Sequence, residues 1–309
     1  MSDHLSSVTS DALHEYLKIG RVTLDHVLRK PEQFYRPFQI EKKGKVRTIR
    51  APISPLKDIQ RTLLKGLYDE VRWLKCLHGG IPGKSVITNA RQHVGRYLVV
   101  TYDLSDFFPS TTEDMVRDYF MSMNFRSDLT DTLVRLVTVN GSLPLGAPTS
   151  MAIANVVFRP SDLRLLRLCE EHDLTYTRYV DDIAISGMRD FRDLTQAVRG
   201  NIEMLGYKVN PRKIQIAFGH DRQVVTGLVV NHVLSPTLSF IRETKTLIRR
   251  CRAEGPGRVA DEHGLTVWQL KQMISGRVAF VRSVFCKRGR RVRSLLVGIC
   301  WKGPERAVA

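Results

Sequence analysis

The spacing of apolar positions changes along the chain and predicts helices and strands in different stretches. Between Asp58 and Trp73 apolar residues return every three or four positions, which is the period of an amphipathic helix. Residues 98–103 form a short apolar run that ends in a carboxylate, as a buried strand would. Around residues 175–186 the β-forming segments flank an acidic centre, which predicts a tight hairpin.

The remaining pattern completes an α+β picture. Phe38 to Pro52 reads as a second hairpin, with a basic, glycine-containing turn. Helical periodicity recurs at 112–123, 128–139, 149–169 and 194–205, and short strands are expected near 209, 215–218 and 224–231. The sequence therefore predicts three parts, which are a small helical segment at 1–34, an α+β domain at 35–240 and a helical appendage at 241–309.

Basic residues are concentrated in the appendage. The 309 residues include 48 Lys and Arg against 31 Asp and Glu, a net charge of +17, and +11 of it falls after residue 240. Since net charge far from zero costs self-repulsion, this asymmetry favours a polyanionic partner, nucleic acid first, over a merely solvated basic face. The 43 % apolar content excludes global disorder.

Several other classes of protein are disfavoured by the composition. The five cysteines are scattered and form no C-x-x-C pair, which argues against a disulfide framework and a zinc ribbon. The polar N-terminus lacks the apolar core of a signal peptide, and no run of 18 apolar residues predicts a membrane span. We expect a cytoplasmic protein without a membrane partner.

Three carboxylates stand out because strand-like sequence surrounds them. Asp103 closes an apolar run, and Asp181 and Asp182 lie between two β-forming segments. Adjacent aspartates are common in β-turns, but in a half-buried hairpin their repulsion needs a compensating cation. Hard oxygen ligands select Mg²⁺ or Mn²⁺, and two such ions can drive phosphoryl transfer. Because alternate strand residues face opposite ways, Asp181 and Asp182 should not be equivalent.

Four sequence boxes occur in the order and spacing of a known family: Asp103–Ser110, Leu143–Ser150, Tyr179–Asp182 and Leu205–Lys213. On these boxes the chain resembles the reverse transcriptases over about residues 35–290. The resemblance implies a right-hand polymerase fold, with fingers and a palm that carries an antiparallel sheet, and a basic helical thumb at 241–309. It implies RNA-directed DNA synthesis by a two-metal mechanism, with dNTPs as substrates.

The resemblance also assigns roles to single residues. Asp103 and Asp181 would hold two Mg²⁺ ions, or Mn²⁺ in their place, with Asp182 assisting. The nucleotide would be contacted by residues of the basic turn and the boxes, namely Lys43, Arg47, Phe108 and Lys213. Phe108 falls where the family has an aromatic gate against the ribose 2′-OH, although Phe107 or Phe108 could instead be core. Lys213 is either a general acid toward pyrophosphate or a surface lysine.

Two positions depart from the family pattern. Leu145 stands where the family usually has Gln, so a polar contact near the nucleotide is absent or supplied elsewhere. Met151 stands where Pro is usual, which should change how the following helix starts. Neither position belongs to the metal ligands, so we expect activity to be retained.

Two further elements resemble those of retron reverse transcriptases. Asn89–His93 matches an Asn-Ala-x-x-His element, and Val225, Thr226 and Gly227 match a Val-Thr-Gly element at the position of the primer grip. If Asn89 and His93 share a helix face they could contact RNA; the alternative is a helix cap with an ordinary surface histidine.

The retron resemblance implies particular partners. It implies a structured non-coding RNA that is copied from the 2′-OH of an internal guanosine, giving branched multicopy single-stranded DNA. It also implies anti-phage defence with a separate effector or toxin protein. In the thumb, RNA phosphates would be bound by Arg277, Arg282, Arg290, Arg291 and Arg293. The thumb aromatics, such as Trp268, are either helix core or base-stacking platforms, and core is expected.

Two rival functions are also compatible with the sequence. One is a reverse transcriptase of another bacterial defence or diversity-generating system. The other is a non-catalytic RNA-binding scaffold, which would have no need of Asp103, Asp181 and Asp182.

Overall fold

The computed structural model describes residues 5, 8–42 and 44–301. Its contacts divide the chain into two units, the first formed by Met1–Ser85 and Leu98–Ile216 and the second by Val86–Tyr97 and Ala217–Ala309. The division differs from the three predicted parts, because the N-terminal helices join the first unit and the boundary falls well before residue 240.

The chain folds into helices and strands that are numbered in chain order. The helices are α1 (Leu13–Tyr16), α2 (Arg21–Arg29), α3 (Leu56–Glu70), α4 (Val86–Arg91), α5 (Phe107–Ser110), α6 (Glu113–Ser122), α7 (Ser127–Val137), α8 (Ser150–Val157), α9 (Arg159–Glu171), α10 (Thr195–Glu203), α11 (Leu238–Ala253), α12 (Pro256–Glu262), α13 (Val267–Val284) and α14 (Cys286–Ser294). The strands are β1 (Tyr35–Lys42), β2 (Lys45–Pro52), β3 (Leu98–Ser105), β4 (Thr175–Tyr179), β5 (Asp182–Gly187), β6 (Lys208–Val209), β7 (Gln215–Phe218), β8 (Val224–Val225), β9 (Leu228–Val229) and β10 (Ser235–Pro236).

An antiparallel sheet forms the centre of the first unit, with strands in the order β4-β5-β3-β6. Its middle strand β3 begins with three aliphatic residues that are all buried, which explains its unbroken apolar run. The register places Asp103 of β3 opposite Asp182 of β5. Tyr179 also pairs with Asp182, so a loop of two residues joins β4 to β5. The predicted hairpin is thus present and brings all three carboxylates to one end of the sheet.

The helices that cover this sheet follow the predicted pattern with one difference. Helix α6 begins where expected, with the Thr112 hydroxyl accepting a hydrogen bond from the Met115 N–H. The single helix predicted over residues 149–169 is instead two, α8 and α9, which meet at Phe158. Pro160 lies in the first turn of α9, where a proline is tolerated. In the interior of one continuous helix its missing N–H would interrupt the hydrogen bonds.

A separate hairpin precedes the sheet in the first unit. Strands β1 and β2 pair antiparallel over eight residues each, as the basic, glycine-containing segment predicted. The N–H of Arg50 on β2 donates to the Leu145 carbonyl at 2.8 Å, which ties the hairpin to the loop before α8.

The second unit contains a small sheet, in the order β10-β9-β8, and the helices α11–α14. The helices share an apolar core that includes Ile248, Val259 and Ile274. A capping box fixes the start of α13, with Thr266 and Gln269 each accepting from the other's backbone N–H. Among the described residues, no helix is long and apolar enough to cross a membrane.

The segment Val86–Tyr97 belongs to the second unit because later residues hold it by hydrogen bonds. The Gly95 N–H donates to the Val230 carbonyl at 2.9 Å, and Gln223 Nε2 donates to the Arg96 carbonyl at 2.9 Å. These contacts join positions more than 120 residues apart, so the periodicity of the sequence could not predict them.

Candidate active site

A cleft of about 370 Å³ opens in the first unit at the end of strand β3 where the carboxylates lie. Its volume falls within the range of small-molecule pockets. The residues that carry its polar chemistry are Arg47, Arg50, Asp103, Ser105, Asp106, Asp181, Asn210 and Lys213. Phe107, Phe108 and Leu145 supply apolar wall.

The Asp103 carboxylate is paired with an ammonium group in the cleft. Lys213 Nζ lies 2.6 and 2.7 Å from the two carboxylate oxygens of Asp103. A single 3₁₀ turn, Pro211–Lys213, carries the lysine, and the side chain of Asn210 caps this turn by accepting from the Arg212 N–H. The Asn210 N–H in turn donates to the Asp103 carbonyl at 2.9 Å. The box at 205–213 therefore brings its lysine to the first carboxylate.

The two adjacent aspartates have different surroundings. Asp181 is a loop residue that lines the cleft, and its carbonyl accepts from the Leu104 N–H at 2.9 Å. Asp182 is the first residue of β5, keeps solvent access and does not line the cleft. The structure thus separates the two residues as predicted, but the reason is that Asp181 lies in the loop and Asp182 in the strand, and not the alternation of strand side chains.

The carboxylates are also electrostatically coupled. Desolvation and the charge of Asp103 raise the pKa of Asp181, against the opposing effect of its backbone hydrogen bond, Arg47 and Lys213. Desolvation, followed by the charges of Asp181 and Asp103, raises the pKa of Asp182 to about 6. Burial therefore disfavours the charged form of both adjacent aspartates, and the neighbouring carboxylates add to this effect.

A divalent cation would favour the charged form of these partly desolvated carboxylates. Carboxylate oxygens are the ligands that Mg²⁺ and Mn²⁺ prefer, and Asp103 and Asp181 both reach the cleft. Within the described residues no three His, Cys, Asp or Glu side chains converge as one metal-ligand group, and Lys213 is the cation that contacts Asp103. The donor chemistry fits the metal; the full ligand set remains a prediction.

The structure distinguishes the two neighbouring phenylalanines. Phe107 is 3 % exposed and packs against Phe158 and Tyr207, so it is a core residue. Phe108 is half-buried and lines the cleft, where a gate residue has to be.

Two other predicted nucleotide contacts have different outcomes. Arg47 lines the cleft and lowers the pKa of Asp181, which places its charge near the carboxylates. Lys43 lies outside the described residues.

Both departures from the family pattern have structural counterparts. Leu145 lines the cleft with an apolar side chain, and Arg50, which no sequence motif singled out, lines it as well. The Met151 thioether lies where a Cβ on Gly80 would be, so a glycine makes room for it. Helix α8 still begins at Ser150, whose hydroxyl donates to the Pro144 carbonyl at 2.7 Å.

The prediction that Asn89 and His93 contact RNA is wrong for the described conformation, because both side chains are fully buried. They do not share a helix face either, since α4 ends at Arg91. Asn89 Nδ2 instead donates to the Thr226 hydroxyl at 3.4 Å, and that hydroxyl donates to the Val86 carbonyl at 3.2 Å. The two retron-like elements are therefore parts of one structure in the second unit.

The Val-Thr-Gly element forms the turn between β8 and β9. Val225 is buried, whereas Thr226 and Gly227 form a two-residue loop with φ values of 45° and 80°. Positive φ at both positions is the signature of a tight hairpin, which explains the glycine. The primer-grip role stays a prediction.

The basic helices of the second unit sort the predicted RNA contacts into two groups. Arg282, Arg290, Arg291 and Arg293 are exposed and available to phosphates. Arg277 is not: it is 23 % exposed in its side chain, pairs with Glu243 at 2.9 Å and covers the Phe240 ring at 4.3 Å. Its role in RNA binding is corrected to one in packing α11 against α13.

Three other residues of these helices are also exposed. Trp268 is 68 % exposed, so its assignment to the helix core is wrong. Arg242 and Arg249 are exposed on α11 and lie seven residues apart, hence on one face. That helical spacing is a signal that could have identified them from the sequence.

The comparison of folds places this architecture in a known class. The structure of apo telomerase from Candida tropicalis aligns with a TM-score of 0.51 and 9 % identity, over 84 % of this chain and 59 % of that one. At this identity the likeness concerns the fold alone, and it confirms the predicted α+β polymerase fold.

Sequence comparison identifies the family. Residues 39–230 match the model of reverse transcriptase (RNA-dependent DNA polymerase). The retron Se72 reverse transcriptase of Salmonella heidelberg (strain 579083-10) is 30 % identical over 87 % of this chain and 73 % of that protein. The retron Ec86 enzyme of Escherichia coli is 30 % identical over 71 % of each chain. The chain belongs to the reverse transcriptase family, and within it to the retron type.

The relatives differ in how much of their length is matched. The retron Mx65 reverse transcriptase of Myxococcus xanthus is 33 % identical over 72 % of this chain, but the alignment spans only 56 % of that protein. The specific substrates and partners of this chain are therefore proposals.

Proposed function

We propose that the cleft of the first unit carries out RNA-directed DNA synthesis. The observation that carries the proposal is the convergence of Asp103 and Asp181 in one cleft with Lys213 and Arg47, on the fold of a reverse transcriptase. Carboxylates at the end of β3 and in the loop between β4 and β5 would supply metal ligands, and the cations beside them suit a triphosphate.

The residues of the cleft would divide the work in the following way. Asp103 and Asp181 would hold two Mg²⁺ ions, with Asp182 assisting, and the bound ions would activate the primer hydroxyl and stabilise the leaving pyrophosphate. Arg47 would contact the triphosphate, because a guanidinium fork suits bidentate phosphate binding. Phe108 would exclude a ribose 2′-OH. Lys213 would leave Asp103 and act on the triphosphate, as contact or as general acid.

The retron membership extends the proposal to the template. We infer that the enzyme copies a structured non-coding RNA from the 2′-OH of an internal guanosine and makes branched multicopy single-stranded DNA. The exposed arginines of α13 and α14 would bind the phosphates of this RNA. By the same membership, the enzyme would act in anti-phage defence with a separate effector protein.

Replacement of a single carboxylate tests the proposed chemistry. We expect Asp181→Asn to reduce dNTP incorporation on a primed RNA template to background while RNA binding is kept. The matched control is Asp190→Asn, because Asp190 is an exposed carboxylate that pairs with Arg192 at 2.7 Å, and it should incorporate dNTPs like the wild type. Equal activity of Asp181→Asn and wild type would refute the assignment of Asp181.

A further inference from the structure

A fully buried arginine lies on β4, the first strand of the hairpin that carries Asp181 and Asp182. Arg178 on β4 and Asp162 on α9 are both 0 % exposed, and the guanidinium makes a two-pronged contact to the carboxylate, with Nε 2.8 Å from Oδ1 and Nη2 2.6 Å from Oδ2. The Phe158 ring covers the guanidinium at 4.6 Å, and the hydroxyl of Tyr176 donates to Asp162 at 2.6 Å. This cluster belongs wholly to the first unit.

Stability alone does not account for such a pair. Removing two charges from water costs several kcal/mol per ion, and apolar residues of similar volume often replace buried ion pairs without loss. Burial would lower the pKa of Arg178, but the Asp162 charge and hydrogen bonds more than offset this and keep the guanidinium protonated. The arginine therefore remains a charged donor in the interior, and its remaining N–H groups indicate what it does.

The third nitrogen of the guanidinium is directed at the two-residue loop, Val180 and Asp181, that joins β4 to β5. Arg178 Nη1 donates to the Val180 carbonyl at 3.0 Å and to Asn155 Oδ1 at 2.9 Å. That carbonyl belongs to the peptide bond that leads into Asp181. A lysine could pair with Asp162, but it lacks the rigid fork that reaches the carboxylate and the loop together.

Val180 needs such support because its backbone is strained. Its φ of 60° lies in the left-handed region, which β-branched residues rarely adopt. Gly79 closes the loop from the other side, since a Cβ there would lie 2.5 Å from the Val180 nitrogen. Asn155 fixes Gly79 in turn, donating from Nδ2 to its carbonyl at 2.9 Å. The buried cluster thus holds both sides of the loop.

We propose that Arg178 is a positioning residue for catalysis, which holds the Asp181 carboxylate in the cleft through its hydrogen bond to the Val180 carbonyl. The inference rests on the proposed function of Asp181. Arg178 itself does not line the cleft, so it acts on the geometry of the carboxylate and leaves the nucleotide contacts in place. A displacement of about 1 Å at a reacting group can cost on the order of 100-fold in rate.

Two variants separate positioning from stability. Arg178→Lys keeps a charge opposite Asp162 and removes the fork. The double variant R178M/D162N removes both charges, so neither is left buried without a partner, and it lacks any donor to the Val180 carbonyl. The control is Gln60→Met, because Gln60 is equally buried and donates to the Tyr35 hydroxyl at 2.9 Å away from the cleft.

We expect both Arg178 variants to lose about 10- to 100-fold in kcat for dNTP incorporation with little change in the KM for dNTP. The double variant should melt below the wild type, because the Val180 carbonyl and Asn155 Oδ1 lose their donor, and Gln60→Met should lose a comparable amount of stability and keep kcat. A second measurement needs no turnover. The Leu104 amide, which donates to the Asp181 carbonyl at 2.9 Å, should exchange hydrogen faster in both Arg178 variants than in Gln60→Met.

The outcomes are distinct. A double variant that folds with wild-type kcat and wild-type Leu104 exchange overturns the proposal, as does a loss of kcat that only follows the melting temperature across all variants. If Arg178→Lys does not fold, the double variant alone decides. If the wild type incorporates no dNTP, the proposed function fails, whereas hydrogen exchange still reports whether Arg178 holds the loop.

Discussion

At the scale of the residue, Asp182 combines some solvent access with a raised pKa, which desolvation causes first and the charges of Asp181 and Asp103 increase. Its pKa of about 6 lies above the ordinary value of 3.8, so the folded protein binds this proton more tightly than the unfolded chain. Protonation of the Asp182 carboxyl therefore stabilises the folded protein at low pH, and this contribution to the unfolding free energy is lost as the pH rises from about 4 through 6. In metal-free buffer, we therefore expect Asp182→Asn to melt at a higher temperature than wild type at pH 7, with a smaller difference at pH 4.5.

The exposed Asp190 provides a control of opposite sign. The hydrogen bond from Arg192 lowers the pKa of Asp190, so its contribution is present at neutral pH and disappears on acidification. The difference in melting temperature between Asp190→Asn and wild type should shrink toward low pH, with wild type the more stable. A difference for Asp182→Asn that is independent of pH would contradict the raised pKa of Asp182.

The neighbours Phe107 and Phe108 form a matched pair for a second test. Because Phe108 lines the cleft, Phe108→Val should raise the use of rNTPs relative to dNTPs by about tenfold or more, as measured by single-nucleotide incorporation. Because Phe107 is core, Phe107→Val should lose about 2 to 4 kcal/mol of unfolding free energy and keep its sugar discrimination. If Phe107→Val changed the sugar discrimination and Phe108→Val did not, the assignment of the gate to Phe108 would be wrong.

At the scale of the element, the basic helices of the second unit contain two kinds of arginine. Neutralising Arg290, Arg291 and Arg293 together with Gln should weaken RNA binding and reduce the slope of log K against log salt by about 2, since each contact to a phosphate releases counterions. Arg277→Gln should lower the melting temperature and leave that slope unchanged, because Arg277 pairs with Glu243. Fluorescence titrations at several salt concentrations measure both, and an unchanged slope in the triple variant would locate the RNA elsewhere.

Elements were predictable from the sequence where local chemistry decides them. The hairpin at Tyr179–Asp182 follows from β-forming residues on both sides of a polar turn, and the start of α6 follows from Thr112. Pro160 is a local signal for the break at Phe158, which the helical periodicity of residues 149–169 does not show. The burial of Asn89 was not predictable, because its partner Thr226 lies 137 residues away.

The same limit applies to the candidate site. Asp103, Asp181 and Lys213 could be named from their boxes, because each box carries its chemistry in a few adjacent residues. The support behind them could not, since Arg178, Asp162 and Asn155 come from β4, α9 and α8 and meet only in the folded core. An arginine between β-formers reads as an exposed strand position, and its complete burial depends on a partner that no local pattern specifies.

At the scale of the whole molecule, charge and chemistry are divided along the chain. The three carboxylates lie in the first unit, whereas +11 of the net charge of +17 follows residue 240 in the second. Such a distribution suits a polymerase that stays bound to one RNA and copies it, because the basic helices would bind phosphates independently of the step at the carboxylates. The proposed retron reaction would require this, since its template and primer would belong to the same RNA.

The nucleic acid that purifies with the protein can therefore separate the rival functions. We expect the wild-type protein, expressed with its neighbouring genome segment, to carry a structured RNA joined to DNA, which leaves a DNA of fixed length after RNase treatment. Asp181→Asn should carry the same RNA without DNA, because the basic helices are intact and the carboxylate site is not. A reverse transcriptase of another bacterial system would give DNA without a branch to an internal guanosine. A non-catalytic scaffold would give RNA alone from both proteins. Either of these two results, unbranched DNA or RNA alone, would overturn the proposed retron product. Sequencing of the bound RNA would then identify the RNA that the protein does bind.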